Sequence, residues 1–505
     1  MRLGSFERLT ALGFSALAFV VIILAGVWAF ITTNSLLPLL IGSWFALCLV
    51  PILIAGYRGE LNIFEPIIFH CAFGLMIGAA LLERSYFSNR EFRHEIISHS
   101  FETGMTIVSA VLVAMLAATL VGYYLLGPRV PSITDSLSIH SHLPDLLAIS
   151  GSVYRKISIF YFIIGFGSLI GVLLFVFPEP NPFYMFQTNT PRSEVFSGSN
   201  IFVMGARSLY IGYLLWICGA LAERRAPNPI EILGVVPIVG LFLLLGGRGR
   251  ALGVLILVFI VLYLVFVEEL IDLHRGILAR LSGSIPPAVV LLGLPLISIG
   301  IAIGVVLLRS LRLGQNFSEA LLGVDSLSIA SAGVHNDQFD NFLALTEIVP
   351  EQIGYQFGAF YARVPLNFIP RAIWPDKPVL TPGGVLRREL LPDAAGGRHP
   401  GTMGDYYINF GYPGILLISL IYGALLRLLY RLIDRNPVSP LSILFFALFL
   451  SGIGNSGLTN NALQALMSDL IILTPALTIL LLIAYRNSNS DILNQQEMGP
   501  LGVEK

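Results

Sequence analysis

The sequence predicts an all-α polytopic membrane protein with about 12 transmembrane helices and one large helical loop on the extracytoplasmic side. Three observations predict this class: 55% of the 505 residues are hydrophobic, only 12% are charged, and the mean hydropathy is +0.80. Soluble proteins carry about 25% charged residues, so this chain has roughly half the charge that solubility requires. The composition therefore excludes a cytosolic enzyme, a nucleic-acid-binding protein and a disordered chain.

The ionisable residues and the cysteines exclude further classes. The 30 Lys and Arg residues balance 31 Asp and Glu residues, so a net charge of −1 offers no basic face to an acidic polymer. The three cysteines, Cys48, Cys71 and Cys218, lie in apolar runs, which argues against a disulfide framework. The chain contains no Walker loop, no dinucleotide fingerprint and no Cys/His zinc pattern, so we expect no cofactor.

The predicted spans follow from the thickness of the bilayer. A spanning helix needs about 20 mostly apolar residues, because the hydrocarbon core is about 30 Å thick. The first apolar run is too long for a removable signal peptide and lacks a small-residue cleavage site, so we interpret it as an anchor. The seventh and eighth runs are short and separated by a Gly/Arg turn, which predicts a tight helical hairpin. The spans are 11–31, 36–56, 63–82, 104–126, 157–177, 201–222, 229–245, 251–267, 287–308, 413–430, 441–457 and 464–485.

The distribution of basic residues predicts the orientation. With Arg2 and Arg8 on the cytoplasmic side, most basic residues of the short loops fall on that side, as the positive-inside rule requires. They are Arg58, Arg129, Arg155, Lys156, Arg224, Arg225, Arg275, Arg280, Arg431 and Arg435. The exceptions outside are Arg84, Arg90, Arg93, Arg192, Arg248 and Arg250. We therefore expect both termini in the cytoplasm.

This orientation leaves one long segment outside, between the ninth and tenth spans. Loops much longer than about 15 residues are usually functional or disordered. The aromatic residues of this loop argue against disorder, so we expect a small helical cap over the membrane surface. The predicted parts are an N-terminal bundle over 1–308, the cap over 309–412, C-terminal spans over 413–486 and a cytoplasmic tail over 487–505.

Arginines near the outer membrane boundary form the first two candidate sites. Arg248 and Arg250 lie in a Gly-Gly-Arg-Gly-Arg turn and suit a phosphate, because guanidinium groups bind bidentately and do not titrate. The alternative is an interfacial turn that meets ordinary lipid phosphates. Arg207 lies about 9 Å inside its span, where a charge usually faces the bundle interior or a wet cavity. The alternative for Arg207 is snorkelling to the outer interface.

A proline-rich segment over 369–378 is the third candidate. Three prolines restrict the backbone and hold Arg371, Trp374 and Lys377 at fixed spacing, which suits anion contacts and an aromatic plane for a sugar ring. The alternative is a structural proline turn with an exposed basic pair.

The segment 398–411, which leads into the tenth span, is the fourth candidate. His399 or Asp405 could remove a proton from a hydroxyl nucleophile. If 404–410 is helical, Asp405 and Asn409 share one face. The alternatives are a solvated loop histidine and an acid that complements a helix dipole.

Several further polar residues are weaker candidates. His335, Asp337 and Asp340 lie close together in sequence, but their spacing matches no metal motif, so we predict no metal site. We expect His70 to be a packed or hydrogen-bonded histidine within the third span. The asparagines Asn455, Asn460 and Asn461 could line a polar mouth.

Three of these segments, taken in order, resemble the bacterial oligosaccharide repeat-unit (O-antigen type) polymerases. They are the turn 246–250, the proline-rich stretch 367–378 and the stretch 404–411, and the resemblance covers about residues 200–460. It implies a membrane glycosyltransferase of the GT-C type in the bacterial inner membrane, with its active site facing the periplasm. Such an enzyme builds a surface polysaccharide by moving a growing glycan from undecaprenyl pyrophosphate onto the non-reducing end of another lipid-linked repeat unit.

The resemblance also implies roles and partners. Asp405 would activate the acceptor hydroxyl, in a place where such polymerases often carry a glutamate, and His399 is the other candidate base. The implied pyrophosphate-binding residues are Arg248, Arg250, Arg371, Lys377 and Arg207, and the glycan-binding residues are Trp374, Tyr406 and Asn409. We expect metal-independent transfer, since arginines can stabilise pyrophosphate. The implied partners are undecaprenyl-pyrophosphate-linked oligosaccharide as donor and acceptor, the lipid bilayer, a chain-length regulator and a flippase, with no nucleic acid.

Two other functions stay open from the sequence. An O-antigen ligase uses the same donor with a different acceptor and relies on an outer-loop histidine. A polysaccharide or lipid transporter performs no covalent chemistry and needs charged residues through the full membrane depth.

Overall fold

The structure is a computed structural model of the chain, and it describes most but not all of the residues. The described residues are 5–58, 65–87, 91–92, 94–129, 149–181, 184, 195, 200–223, 225, 227–244, 253–258, 260–261, 337–369, 374, 376–378, 381–390, 399–434, 440–454 and 457–497. Within these ranges every regular element is a helix and no strand occurs.

Fourteen helices are numbered here in chain order. The first eight are α1 (Ser5–Thr33), α2 (Leu36–Arg58), α3 (Pro66–Leu82), α4 (Phe101–Val121), α5 (Gly151–Phe175), α6 (Asn200–Ala222), α7 (Pro229–Leu233) and α8 (Val235–Leu244). The others are α9 (Asp337–Ile348), α10 (Ala359–Ala362), α11 (Pro382–Leu390), α12 (Gly401–Asp434), α13 (Pro440–Ile453) and α14 (Asn460–Glu497). A π-helical turn, Glu83–Phe87, extends α3, another, Gly122–Leu126, extends α4, and a 3₁₀ turn, Val364–Phe368, follows α10.

The apolar helices are those of a membrane protein. Within the described residues, eight helices are long and apolar enough to cross a bilayer, and they coincide with eight of the predicted spans. The predicted spans 229–245 and 441–457 contain shorter apolar helices, Ile230–Phe242 and Pro440–Ile453. The predicted span 287–308 and most of 251–267 lie outside the described residues.

The two ends of the helix bundle can be distinguished by their ion pairs. Arg84, just after α3, pairs with Asp340 of α9 at 3.0 Å. Glu65, just before α3, lies 3.6 Å from Arg427 near the far end of α12. We call the end that carries α9 and α10 the cap end, and the end that carries Glu65 and Arg427 the opposite end.

Two hydrophobic cores hold the helices together. One core joins α2, α3 and α4 to α9 and α12, and it includes the fully buried Phe339 and Phe342 of α9. The other core joins α5, α6 and α8 to α13 and α14. Because α9 contributes to the first core, it is fixed to the bundle rather than lying loosely over it.

Glycines set the path of α12. At Gly423, a Cβ atom would overlap the carbonyl oxygen of Thr119 in α4, so the two helices cross at a separation that only glycine permits. At Gly411, φ is 67° and ψ is −162°, which breaks α12 into a short helix before this residue and a membrane helix after it. This break lies beside the predicted boundary between residues 412 and 413.

The last helix extends beyond its predicted membrane span. α14 runs to Glu497, although the last span was predicted to end at residue 485 and a tail to follow from 487. Polar residues dominate this extension, so hydropathy alone marks the membrane end and not the end of the helix.

Candidate functional site

The cap helix α9 is anchored by a buried ion pair at the cap end. Arg84 donates two hydrogen bonds to the carboxylate of Asp340, at 3.2 and 3.0 Å, and a third to the carbonyl of Glu91 at 2.7 Å. Only 7% of the Arg84 side chain and 1% of the Asp340 side chain are exposed. Arg84 is one of the basic residues that contradict the positive-inside count, and Asp340 neutralises its charge.

The weak metal hypothesis finds no support from this pairing. Asp340 faces Arg84, and the described residues contain no group of three or more potential metal ligands. The metal hypothesis joined Asp340 to His335 and Asp337. His335 lies outside the described residues.

Asn341, the next residue of α9, positions the segment that carries His399. Its Oδ1 lies 2.8 Å from Nε2 of His94, and its Nδ2 donates to the carbonyl of His399 at 3.1 Å. His399 is half-buried and lies two residues before the start of α12. Asn341 could not be selected from the sequence, because its partners His94 and His399 are distant in the chain.

Asp405 lies in the first turns of α12 and is 1% exposed. Its Oδ2 accepts a hydrogen bond from the backbone N–H of Asn460 at 2.7 Å, so Asp405 caps the N-terminus of α14. The side-chain amide of Asn460 in turn donates to the carbonyl of Phe360 in α10 at 2.9 Å. Asp405 therefore lies where α10, α12 and α14 meet. The sequence alternative was an acid that complements the dipole of its own helix, whereas the side chain caps α14.

Two buried oxygens at this junction have no hydrogen-bond partner among the described residues: Oδ1 of Asp405 and the hydroxyl of Tyr361. The two groups interact electrostatically. Burial raises the pKa of Tyr361 well above its ordinary value, so its hydroxyl keeps a proton and can donate it in a hydrogen bond. An unsatisfied buried oxygen is costly, which makes this pair of groups a candidate contact for a ligand hydroxyl.

Tyr406 and Asn409, both predicted to bind glycan, are each 1% exposed. The Tyr406 hydroxyl accepts from the N–H of Leu458 at 2.9 Å, and Asn409 donates to the carbonyl of Asp405 at 2.7 Å. The helix over 404–410 and the shared face of Asp405 and Asn409 are confirmed. Both predicted glycan-binding side chains face neighbouring backbone, and their role stays a prediction.

Arg207 points into the bundle. Its Nη1 lies 3.3 Å from Oδ1 of Asp469 in α14, and the hydroxyl of Tyr210 donates to the same oxygen. The Arg207 side chain is 12% exposed and that of Asp469 is 19% exposed. Asp469 was missed from the sequence, although an acid within an apolar span is itself a signal of function.

The described part of the proline-rich segment lies near α14. Lys377 donates from Nζ to the carbonyl of Ile369 at 3.0 Å, and Trp374 is half-buried. Ile369 directly follows the 3₁₀ turn Val364–Phe368, which packs against α14. Arg371 lies outside the described residues, as do Arg248, Arg250 and Asn455, so the roles predicted for these four are not tested.

A cavity of about 50 Å³ extends beneath Tyr406 into the bundle. Its walls combine apolar side chains such as Trp44 and Met115 with polar groups that include Thr402 and His70. Nδ1 of His70 lies 3.0 Å from the carbonyl of Gly454, which confirms the prediction of a hydrogen-bonded histidine.

Comparisons with protein-family models, with curated proteins and with solved structures found no match. The chemistry of the site therefore rests on its own residues. A buried carboxylate with one unpartnered oxygen beside a protonated phenol can accept and orient a hydroxyl group. An arginine within the membrane span that is paired with a carboxylate can exchange that partner for a phosphate.

Proposed function

We propose that this protein is a membrane glycosyltransferase that polymerises lipid-linked oligosaccharide repeat units. It transfers a growing glycan from undecaprenyl pyrophosphate onto the non-reducing end of an incoming repeat unit, at the periplasmic face of the bacterial inner membrane. The proposal rests on the resemblance of three sequence segments to the O-antigen type polymerases and on the arrangement at the cap end.

One observation carries the proposal furthest: candidate residues from separate parts of the chain gather around the first turns of α14. Asp405 caps this helix at Asn460, and Arg207 pairs with Asp469 about 14 Å further along it. The segment leading to Lys377 packs against the same helix through Val364–Phe368. Such a gathering suits a substrate with a phosphate at membrane depth and a glycan above it.

The proposed reaction assigns a step to each group. The acceptor hydroxyl oxygen attacks the anomeric carbon of the donor glycan and gives its proton to Asp405, with Tyr361 orienting the hydroxyl. The bond from the anomeric carbon to the pyrophosphate oxygen breaks, and the pyrophosphate leaves on the lipid with the electron pair. Arg207 and the predicted contacts Arg248 and Arg371 stabilise this negative charge.

The distribution of basic residues at the opposite end supports the proposed orientation. Arg58, Arg155 and Arg427 lie there, and Arg225 lies there in an ion pair with Glu231 at 2.6 Å. Under the positive-inside rule, this distribution favours a cytoplasmic opposite end and a periplasmic cap end. Both termini are then cytoplasmic.

A polymerisation assay tests the proposed function. Purified protein in proteoliposomes is incubated with a lipid-pyrophosphate oligosaccharide, and the products are separated by gel. The expected result is a ladder of longer glycans, and Asp405→Asn should reduce it at least about 100-fold because general bases contribute this much. Glu347→Gln, a change at an acid that bonds Ser98 near the surface of the cap, is the matched control and should leave the ladder intact. Translocation of the glycan without lengthening would contradict the proposal.

A ligase-like transferase is the second candidate, because such an enzyme relies on an outer-loop histidine. His399 is half-buried and so more accessible to a substrate than Asp405, which is almost fully buried. A ligase would lose transfer on His399→Ala and retain it on Asp405→Asn. The polymerase proposal expects the reverse order of severity.

A further inference from the structure

Two buried cysteines lie next to each other inside the membrane part of the bundle. Cys48 of α2 is 1% exposed and Cys71 of α3 is 2% exposed. The thiol of Cys48 interacts with that of Cys71, and both residues lie in the same hydrophobic core. Both are free thiols in the structure.

The packing of α2 on α3 explains this contact. Gly74 and Gly78 form a Gly-x-x-x-Gly pattern on α3, one turn beyond Cys71. A Cβ atom on Gly74 would lie 2.9 Å from Sγ of Cys48, so that sulfur rests directly on the α3 backbone. The indole N–H of Trp44 donates to the carbonyl of Gly74 at 2.7 Å, which fixes the register of the two helices.

From this geometry we infer that Cys48 and Cys71 form a redox-convertible dithiol that crosslinks α2 to α3 when oxidised. The reaction breaks two S–H bonds and forms one S–S bond. The two electrons and two protons pass to a quinone, which becomes a hydroquinone. A lipid-soluble oxidant is the suitable chemical class, because the pair is buried among apolar helices.

Oxidation would act on the cavity beneath Tyr406. Two residues of its wall lie close to the cysteines in sequence. Trp44 lies one turn before Cys48, and His70 directly precedes Cys71. A covalent link between their helices would fix that wall in one position. This inference does not depend on the proposed glycosyltransferase activity.

Counting thiols before and after oxidation tests the inference. The purified protein in nanodiscs is treated with a soluble quinone analogue such as decylubiquinone, denatured without reductant, alkylated with N-ethylmaleimide and weighed by mass spectrometry. The untreated protein has three free cysteines and should gain three adducts, whereas the oxidised protein should gain one. Peptide mapping should place the remaining adduct on Cys218, which lies in the other core and contacts the carbonyl of Pro440.

Single substitutions provide the controls. The Cys218→Ser protein should gain two adducts when untreated and none after oxidation. The Cys48→Ser protein should gain two adducts both before and after oxidation. Three adducts on the oxidised wild-type protein, or a disulfide that includes Cys218 or joins two chains, would overturn the inference. The wild-type measurement does not depend on whether a variant folds.

Discussion

At the scale of single residues, Asp405 has two separable tasks. Its Oδ2 caps α14 through Asn460, while its Oδ1 has no partner among the described residues. The sequence predicted Asp405 as a candidate base, because the segment 398–411 brings a carboxylate and a histidine to the outer end of the tenth span. It could not predict the contact with Asn460, since that pairing depends on how α12 and α14 meet.

The two tasks predict different effects for two substitutions. Asp405→Ala removes the capping acceptor and should lower the free energy of unfolding by about 1–2 kcal/mol. Asp405→Asn keeps an oxygen that can accept from the N–H of Asn460, so its stability should stay close to that of the wild type. Thermal unfolding in detergent measures both. Equal stability of the two variants would show that the cap contributes nothing.

The substitution Tyr361→Phe tests whether the Tyr361 hydroxyl contacts a ligand or only stabilises the fold. The hydroxyl makes no hydrogen bond to any described residue, so its removal should leave thermal stability unchanged or raise it slightly. If the hydroxyl orients the acceptor, the rate of glycan lengthening should fall by about 10-fold, the equivalent of roughly 1.4 kcal/mol. The matched control is Tyr407→Phe, whose hydroxyl donates to the carbonyl of Val349 and should cost stability instead. Full activity in Tyr361→Phe would remove this residue from the mechanism.

At the scale of elements, the attachment of α9 decides where the site residues lie. The ion pair of Arg84 with Asp340 fixes α9 to α3, and Asn341 then holds the backbone at His399. The sequence predicted a helical cap from the aromatic residues of the loop. It did not predict this pairing, because 256 residues separate the two charges.

Breaking the buried pair should loosen the cap. Arg84→Ala leaves the Asp340 carboxylate buried and unpaired, which should cost about 3–5 kcal/mol. Limited proteolysis within 337–369 should accelerate, and the unfolding temperature should fall. Arg388→Ala is the control, because its pair with Glu389 is exposed and should be worth at most about 1 kcal/mol. An Arg84→Ala protein as stable as the control would show that α9 is held by packing alone.

The crossing of α4 and α12 predicts a second effect at this scale. Gly423→Ala places a Cβ atom against the carbonyl oxygen of Thr119 and should cost about 3 kcal/mol or more, since neither backbone can yield. Gly167→Ala in α5 meets no atom within 4 Å and should be neutral or slightly stabilising. Unfolding by denaturant compares the pair. Similar stabilities for both variants would contradict the described crossing.

At the scale of the whole molecule, the sequence and the structure agree on apolar helices and differ in detail. The eight long spans were predictable, because each must bury about 20 apolar residues in lipid. The two cores were not predictable, since they depend on which helices become neighbours. Asn341 and Tyr361 became candidates only through their three-dimensional contacts, whereas Asp469 could have been selected from the sequence as an acid within an apolar span.

The proposed function requires the substrate at the cap end, and photo-crosslinking tests this requirement most directly. A lipid-pyrophosphate oligosaccharide with photoreactive groups on both the lipid and the terminal sugar is bound to the protein in nanodiscs, irradiated and mapped by mass spectrometry. We expect the terminal sugar to label peptides that contain Tyr361, His399 or Asp405, and the lipid group to label the first turns of α14. Labelling confined to the opposite end, near Arg58, Glu231 and Arg427, would contradict the proposed location of the active site.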